Sequence, residues 1–457
     1  MLIRFSIANI LSFDGMKEFS MLPKPRLNSH IHHKLHFHNI EILKLSSIYG
    51  ANGAGKSNFT RSLQFLKDIV EEKSSIELLQ QSEFKFHSLE LSKKQTMVIE
   101  FIQDNIPLYY GVELQNNIVI TEELYISGLG KVEDKLIYER KTNENKITQI
   151  TFSEEFERDE KNMLLKSILL EEFVKPNKLI LKLLANRENG LLKNAKLAYK
   201  WFNETLVVLK PDSRPIALAH RIDINHEFKD YAEEIMCSFN LGVTSLNTVK
   251  MKLSEISDVD NEQSKEIIAK LKEDPSKMIR LHSKKGDELI LVNEDNEIIV
   301  KHLSIEHIGK NDTTHKFALE DESDGTVRLL DFVPAFRDIT KQKKVYVIDE
   351  IERSIHPLLI KELITKFSSD QNSNGQLIFT THESNLLDQD IFRQDEIWFV
   401  EKDKSGATDL YSLSDFKVHK TKNLQKGYLS GKFGAIPFLG NLKDLNWNSH
   451  DTEKSVI

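Results

Sequence analysis

The eight residues that decide the fold of this chain are Gly50-Ala51-Asn52-Gly53-Ala54-Gly55-Lys56-Ser57. A strand-like stretch, residues 43–49, leads into them, and apolar residues from Phe59 to Val70 follow at helical spacing. Glycines let backbone N–H groups wrap around phosphate oxygens, and the helix directs its positive end at them. The order strand, glycine loop, helix therefore predicts a P-loop rather than a simple glycine-rich turn.

The side chains of this loop predict a nucleotide triphosphate held with Mg²⁺. Lys56 would neutralise the β- and γ-phosphates, and the Ser57 hydroxyl would take a position on Mg²⁺. The predicted cofactors are therefore ATP and Mg²⁺. The predicted binding residues on this loop are Gly50, Asn52, Gly53, Ala54, Gly55, Lys56, Ser57 and Asn58.

A pair of acids follows the apolar run Val345-Tyr346-Val347-Ile348. Such a run is typical of a buried parallel strand, and ligands of open α/β sheets bind at the carboxyl edge where the acids lie. Asp349 is predicted to hold Mg²⁺ through water, and Glu350 to polarise the attacking water. The alternative is a buried strand that ends in surface acids.

Two further segments could reach the same ligand. Glu322-Ser323-Asp324-Gly325-Thr326 opens an amphipathic helix, whose N-terminus could bind an anion. The apolar run Gln376-Leu377-Ile378-Phe379-Thr380-Thr381 predicts another buried strand, which ends at His382. His382 could contact the γ-phosphate. Taken singly, a Ser-Gly turn is commonplace and a histidine at a strand end is often structural.

The composition favours a folded protein without disulfides or membrane-spanning segments. The chain has 457 residues, 40% of them hydrophobic and 29% charged, as expected for a folded protein with room for an inserted lobe. Its single cysteine, Cys237, excludes an internal disulfide and favours a reducing, cytoplasmic compartment. No apolar run is long enough to span a membrane. With a net charge of −8, any nucleic acid must bind at a local basic patch. The candidate patch, for which a solvated lysine face is the favoured interpretation, consists of Lys417, Lys420, Lys422, Lys426, Lys432 and Lys443.

Patterning along the chain predicts three regions of an α/β protein. Residues 1–150 begin with an alternating strand, carry the P-loop and continue into an antiparallel meander. Residues 151–288 form a mainly helical inserted lobe. Residues 289–457 complete the head with two strand-like stretches at 289–292 and 298–303, the acid pair, His382 and the basic tail.

Together these motifs resemble an ABC-type P-loop ATPase head, with a Walker A loop, a signature, a Walker B strand with its glutamate, a D-loop at Glu352–His356 and a switch histidine. The resemblance implies that two heads pair head-to-tail. Ser323 and Gly325 of one chain would then complete the ATP site of the other, and His382 would sense the γ-phosphate. The signature departs from the family pattern, since it reads ESDGT instead of LSGGQ.

Over most of its length the sequence resembles the RloA/AbiL-type ATPases of bacterial antiphage defence, relatives of the SMC, RecF and OLD proteins. This family implies an ATP-driven sensor or switch in abortive infection, working with a separately encoded effector that is often a nuclease. An alternative is a RecF-like clamp that grips DNA in repair. The matching stretches are Phe5-Ser6-Ile7-Ala8-Asn9, Ser12-Phe13, Ile48-Tyr49-Gly50-Ala51-Asn52, Trp201-Phe202, Asp349-Glu350-Ile351-Glu352, Thr381-His382-Glu383 and Gly427-Tyr428-Leu429-Ser430-Gly431.

A loop near the N-terminus is rich in histidine. His30, His32, His33, His36 and His38 fall within nine positions, which raises a metal hypothesis. No cysteine or nearby carboxylate set completes a ligand shell, so a solvated loop is the favoured interpretation.

The residues after His382 contain no paired-acid motif of the kind that two-metal chemistry needs, so no intrinsic nuclease activity is predicted.

Overall fold

The computed structural model describes residues 1–37, 39–86, 93–215, 217–255, 261–275, 277–282, 288–417 and 423–437. The strands are β1 (Leu2–Ala8), β2 (Lys17–Ser20), β3 (Lys34–Phe37), β4 (Ile40–Leu43), β5 (Leu45–Tyr49), β6 (Gln95–Gln103), β7 (Ile106–Gln115), β8 (Ile118–Ile126), β9 (Lys135–Thr142), β10 (Thr148–Phe152), β11 (Leu206–Leu209), β12 (Val243–Lys252), β13 (Ile279–His282), β14 (Glu288–Glu294), β15 (Glu297–Ile308), β16 (Thr314–Ala318), β17 (Val345–Ile348), β18 (Gln376–Thr381), β19 (Ile397–Lys402) and β20 (Thr408–Ser412). The helices are α1 (Lys56–Val70), α2 (Ile76–Gln80), α3 (Glu154–Glu157), α4 (Glu160–Ile168), α5 (Leu181–Ala185), α6 (Lys193–Lys200), α7 (Leu218–Ile224), α8 (His226–Ser238), α9 (Asn261–Glu273), α10 (Asp324–Lys341), α11 (Pro357–Ser369) and α12 (Leu424–Leu429).

A six-stranded sheet in the order β11-β17-β18-β5-β19-β20 forms the centre of the molecule. Its first five strands run parallel, and β20 pairs antiparallel with β19. In β17, Val345 and Val347 face one core, whereas Tyr346 and Ile348 face the other. A strand that buries both faces must be apolar throughout, which is why this run carries no alternation.

A seven-stranded antiparallel sheet, β10-β9-β8-β7-β6-β1-β2, packs against one face of the central sheet through α1. β1 contributes the predicted alternation, with Phe5 and Ile7 fully buried and Arg4 and Ser6 half-buried. Of the first helices after the sheet, α3, α5 and α6 bury apolar side chains in the same core, whereas α4 packs against it through Leu165 and leaves Met163, Leu164 and Ile168 exposed. The α/β class and the antiparallel β subdomain are therefore confirmed.

The predicted boundaries of the helical lobe, 151 and 288, do not separate a unit in the structure. β11 lies inside this range but pairs with β17 in the central sheet. β12 and β13 belong to a five-stranded antiparallel sheet with β14, β15 and β16, so the boundary at residue 288 cuts through that sheet. The predicted boundaries fail because strands inside residues 151–288 pair with strands far away in the sequence, and such pairing leaves no local pattern. The predicted strands at 289–292 and 298–303 do form the β14–β15 hairpin.

The opposite face of the central sheet is covered by α7, α8, α10, α11 and α12, which bury their apolar residues in a second core. Along the described ranges, no helix combines the length and the apolarity that crossing a membrane requires.

Candidate functional site

The P-loop connects the buried strand β5 to α1 at the middle of the central sheet. α1 begins at Lys56, and its N-cap residue Gly55 has a φ of 119°, a left-handed conformation that glycine adopts without strain. A Cβ on Gly50 would lie 2.5 Å from the carbonyl oxygen of Val400, on the neighbouring strand β19. The two glycines are therefore required by backbone geometry and by close packing, as expected for a loop that wraps a ligand.

Lys56 lies over this loop and is almost fully buried, with 6% of its surface exposed. Its Nζ donates to the carbonyl oxygens of Gly50 at 2.7 Å and Ala51 at 3.2 Å. Burial lowers the pKa of Lys56, and the carboxylates of Glu352, Glu350 and Asp349 oppose that shift. The ammonium is thus held at the loop, on the side where the Walker B acids lie.

Two distant segments, at Ser12 and Thr408, brace the loop from behind. The Oγ1 atom of Thr408, at the start of β20, lies 2.9 Å from the carbonyl oxygen of Ala54 and 2.7 Å from Ser12 Oγ. Asn58 Nδ2 donates to the same Ser12 hydroxyl at 2.8 Å. The side chain of Asn58, predicted to bind nucleotide, therefore supports the loop from within the protein.

The acid pair follows β17 as predicted. Asp349 is buried, and its Oδ1 accepts a hydrogen bond of 2.6 Å from Thr380 Oγ1, on β18. The same Thr380 hydroxyl accepts from the backbone N–H of Glu350 at 2.9 Å. Glu350 has a φ of 50°, an uncommon conformation for this residue type that concentrates at functional sites. Because Thr380 pairs with Ile48 of β5, the acids and the P-loop share one edge of the sheet.

His382 follows β18 at this edge and is held by Glu352. Glu352 Oε1 lies 2.8 Å from His382 Nδ1 and accepts from the His382 backbone N–H at 2.7 Å. Glu352 is 8% exposed, and its other oxygen, Oε2, has no hydrogen-bond partner among the described residues. The sequence placed Glu352 in the D-loop region without a role; the structure places it in direct contact with the predicted switch histidine.

The P-loop cleft, as we name the cavity over residues 50–54, has a volume of about 580 Å³. His382 lines it together with the loop. Its remaining wall is supplied by Ser384, Glu401, Lys402, Tyr428, Leu429, Ala435, Ile436 and Pro437. The C-terminal segment is fixed there because Tyr428 donates to the Ala435 carbonyl oxygen at 3.0 Å, and the Ala435 N–H donates to Glu401 at 2.8 Å. The sequence analysis singled out residues 427–431, which contain Tyr428 and Leu429, but did not predict that they line the cleft.

The predicted signature residues lie elsewhere in the same chain. Ser323 is the N-cap of α10, and its Oγ accepts from the Thr326 N–H at 3.2 Å. A Cβ on Gly325 would lie 2.8 Å from the carbonyl oxygen of Ser354, in the loop after Glu350. Neither Ser323 nor Gly325 lines the P-loop cleft.

The helix α10 instead borders a second cavity of about 250 Å³, which we name the signature cleft. Its lining residues are Pro211, Asp212, Arg214, Asp324, Val327, Arg328, Asp331, Arg353 and Ser354. Burial raises the pKa of Asp331 to about 7, although Arg328 lies 3.9 Å away and opposes the shift. Arg328 itself is anchored, since its Nη1 donates to the Ser213 carbonyl oxygen at 2.8 Å.

The predicted basic patch is described only in part. Lys417, Lys426 and Lys432 are exposed. Lys420, Lys422 and Lys443 lie outside the described residues, as does His38 of the histidine-rich loop. Nucleic-acid binding at this patch stays a prediction.

The residues fit ATP with Mg²⁺. The loop is packed against Val400 and Thr408 so closely that neither Gly50 nor Gly55 could carry a Cβ, and α1 begins directly after it, which leaves a helix N-terminus for a phosphate. The Ser57 hydroxyl and the Asp349 carboxylate are the oxygen donors that Mg²⁺ prefers. A buried lysine over the loop, an acid pair on a neighbouring strand and a histidine at the same edge define the class of P-loop ATPases.

Comparison with known families agrees with this class. The chain belongs to the family described as "AAA domain, putative AbiEii toxin, Type IV TA system", whose sequence pattern matches residues 45–388. Family membership supports an ATPase that uses ATP and Mg²⁺. The closer relation to RloA/AbiL proteins stays a prediction. Among curated proteins, none matches this chain.

Solved structures of SMC heads are similar over most of the chain. The SMC head domain from Thermotoga maritima is 9% identical, with 91% of this chain and 99% of that chain covered at a TM-score of 0.37. The Smc head domain with an extended coiled coil, bound to the C-terminal domain of ScpA and derived from Pyrococcus furiosus, is 12% identical, with coverage of 90% and 96% and a TM-score of 0.40. Identities and TM-scores this low support no conclusion about activity or partners.

Proposed function

We propose that this chain is a nucleotide-driven switch of bacterial antiphage defence, in which ATP binding and hydrolysis control a separately encoded effector, a nuclease or another toxin. The observation that carries the proposal is the separation of two half-sites. The loop and His382 line the P-loop cleft, and Lys56 and the acid pair lie at the same edge of the sheet. Ser323 and Gly325 do not line it; they flank Asp324, which lines the signature cleft. A second copy of the chain, docked head-to-tail, would supply the missing half.

The residues of the P-loop cleft divide the chemistry among them. The backbone of residues 50–55 and the Lys56 ammonium would bind the triphosphate, and the Asp349 carboxylate and Ser57 hydroxyl would hold Mg²⁺, which supplies charge neutralisation. Glu350 would accept a proton from the attacking water. His382, whose ring is held by Glu352, would contact the γ-phosphate and report whether it is present.

The family description supports the biological setting. It names a toxin and a toxin–antitoxin system, and systems of this kind consist of two components. Closure of two copies over ATP, followed by opening on hydrolysis, would give such a system two discrete states. The effector would respond to one of these states.

The first experiment removes the proposed base. Glu350→Gln keeps the size of the side chain, so ATP is expected to bind while hydrolysis falls by about 100-fold or more. The trapped nucleotide should hold two copies together, which light scattering after gel filtration with ATP would detect. Glu362→Gln, on the exposed face of α11, is the matched control and should behave like the parent. Loss of hydrolysis with no retained ATP and no change in association would contradict the mechanism.

The second experiment asks whether the two clefts act between chains. Ser323→Asp preserves a good N-cap but adds a negative charge that would face the partner's triphosphate. Lys56→Ala and Ser323→Asp should each be inactive alone, yet their mixture should recover part of the parent activity, since one site of a mixed pair is intact. Ser323→Asn, neutral and equally able to cap, should remain active. A mixture as inactive as its components would exclude the head-to-tail site.

A further inference from the structure

A cluster of three imidazoles lies on the turn that precedes β3, at a distance along the chain from every ATPase motif. The ring nitrogens of His30, His32 and His33 that could act as ligands all lie within 4.8 Å of one another. The ring centroids of His30 and His33 are 4.9 Å apart, and those of His32 and His33 are 4.6 Å apart. Three imidazoles that converge in this way offer a donor set suited to a transition metal ion.

Two of the three rings are oriented by their second nitrogen. His33 is 1% exposed, and its Nδ1 lies 2.9 Å from Glu396 Oε1, on a side chain that is also fully buried. His30 Nε2 lies 2.8 Å from the carbonyl oxygen of Gln389 and donates to it. His33 Nε2 and His30 Nδ1 are therefore the atoms left for a ligand. Metal-binding histidines are commonly fixed by a carboxylate or a carbonyl on the other nitrogen.

The backbone under the rings is also fixed. Arg393 Nη2 donates to the Leu27 carbonyl oxygen at 3.1 Å, and the Lys24 N–H donates to Asp395 at 2.7 Å. The Lys44 N–H donates to the carbonyl oxygen of His33 at 2.8 Å. These contacts hold the turn against residues 393–396, immediately before β19. The backbone that carries the rings is thus held by a rigid scaffold, which favours a metal site.

The geometry points to a Zn²⁺ site formed by His30, His32 and His33, with a fourth position open to water. Tetrahedral Zn²⁺ at about 2.0–2.1 Å from nitrogen needs donor atoms about 3.3 Å apart. The present limit of 4.8 Å is wider, so one ring must turn inward on binding. Within the described part of the chain, His32 is the ring of the three that makes no hydrogen bond, so it is the one that can turn inward. A bound ion would hold the three rings of the turn together, and Glu396, just before the strand that carries Glu401 of the P-loop cleft, would contact it only through His33.

The test is a Zn²⁺ titration of metal-free protein that carries no polyhistidine tag, in competition with a chromophoric chelator. We expect one Zn²⁺ per chain in the parent and an affinity at least 10-fold lower in His32→Ala. The matched control is His36→Ala, because His36 belongs to the same histidine-rich stretch but lies on β3 and pairs with Glu41. Its affinity should equal that of the parent. Substoichiometric binding by the parent, or equal affinity of His32→Ala, would overturn the assignment.

A second measurement separates ligation from folding. Co²⁺ in place of Zn²⁺ should give the intense visible absorption of a four-coordinate site in the parent, and this absorption should be lost in His32→Ala. Because the half-buried His32 ring makes no hydrogen bond within the described residues, that variant should keep the far-UV circular dichroism and the thermal midpoint of the metal-free parent. Glu396→Gln should bind about 10-fold more weakly while retaining the absorption spectrum, since Glu396 orients His33 without contacting the ion. A parent spectrum typical of octahedral Co²⁺ would reject the three-histidine site.

Discussion

The P-loop cleft and the signature cleft differ in what forms their walls. In the P-loop cleft, backbone and glycine positions dominate, and Lys56 is the buried cation over the loop. In the signature cleft, charged side chains dominate, with Arg214, Arg328 and Arg353 beside acids of α10. In the proposed mechanism the first encloses phosphate, and the second presents the start of α10 with the exposed Arg214 and Arg353. Each cleft therefore has what the other lacks, and the difference makes a second copy part of the proposed mechanism.

The largest expected effect comes from removing the cation of the P-loop cleft. Lys56→Ala deletes the charge that would neutralise the phosphates, so ATP turnover should fall by about 100-fold or more in a steady-state phosphate-release assay. Lys402→Ala is the matched control, because Lys402 lies at the rim of the same cleft but is exposed. It should retain turnover within about 3-fold of the parent. Equal turnover of Lys56→Ala and the parent would place the ATPase activity elsewhere.

A smaller effect on turnover is expected from the contact between Glu352 and His382. Glu352→Gln weakens the contact that orients the His382 ring, so kcat should fall by about 10-fold while the affinity for ATP changes little. His382→Ala should have a similar effect, and the double variant should be no worse than the more affected single variant, since both act through one contact. Additive losses in kcat would show that Glu352 acts independently of His382.

The smallest effect concerns the signature cleft and is a change of stability with pH. Because burial raises the pKa of Asp331 from 3.8 to about 7, the folded chain binds this proton more tightly than the unfolded chain. The resulting stabilisation is complete below about pH 4 and is lost as the pH rises to about 7. Between pH 6 and 7 the parent should lose about 1 kcal/mol more unfolding free energy than Asp331→Asn. Urea unfolding of both proteins at both pH values measures this difference. An equal change in unfolding free energy in the parent and in Asp331→Asn would contradict it.

The sheet edge that carries the P-loop, the acid pair and His382 could largely be predicted, because each of its parts is determined by neighbouring residues in the sequence. β5, β17 and β18 are short runs buried on both faces, and such runs are recognisable without knowing their partners. The N-cap at Ser323 and the start of α10 also follow from adjacent residues. The polar residues after these runs then fall at one edge because the strands are parallel. The class of protein was predictable from this edge alone.

The rest depends on contacts between residues far apart in sequence. β11 is only four residues long, and its partner β17 lies more than a hundred residues later, so nothing local separates it from the helices before it. The contact between Glu352 and His382 needs the loops after two strands to meet. The C-terminal wall of the P-loop cleft likewise depends on a hydrogen bond from Ala435 to Glu401. Such pairings are set by the assembled core, not by local composition.

The bracing of the P-loop by Ser12 and Thr408 limits how far the protein can be trimmed. Both residues lie outside positions 45–388, the extent of the family match, yet the Thr408 hydroxyl contacts Ala54 and the Ser12 hydroxyl accepts from Asn58. A minimal fragment cut to the family match would leave these loop groups without their partners. The autonomous catalytic unit is thus larger than the recognisable homology region, and it includes strands from both flanks.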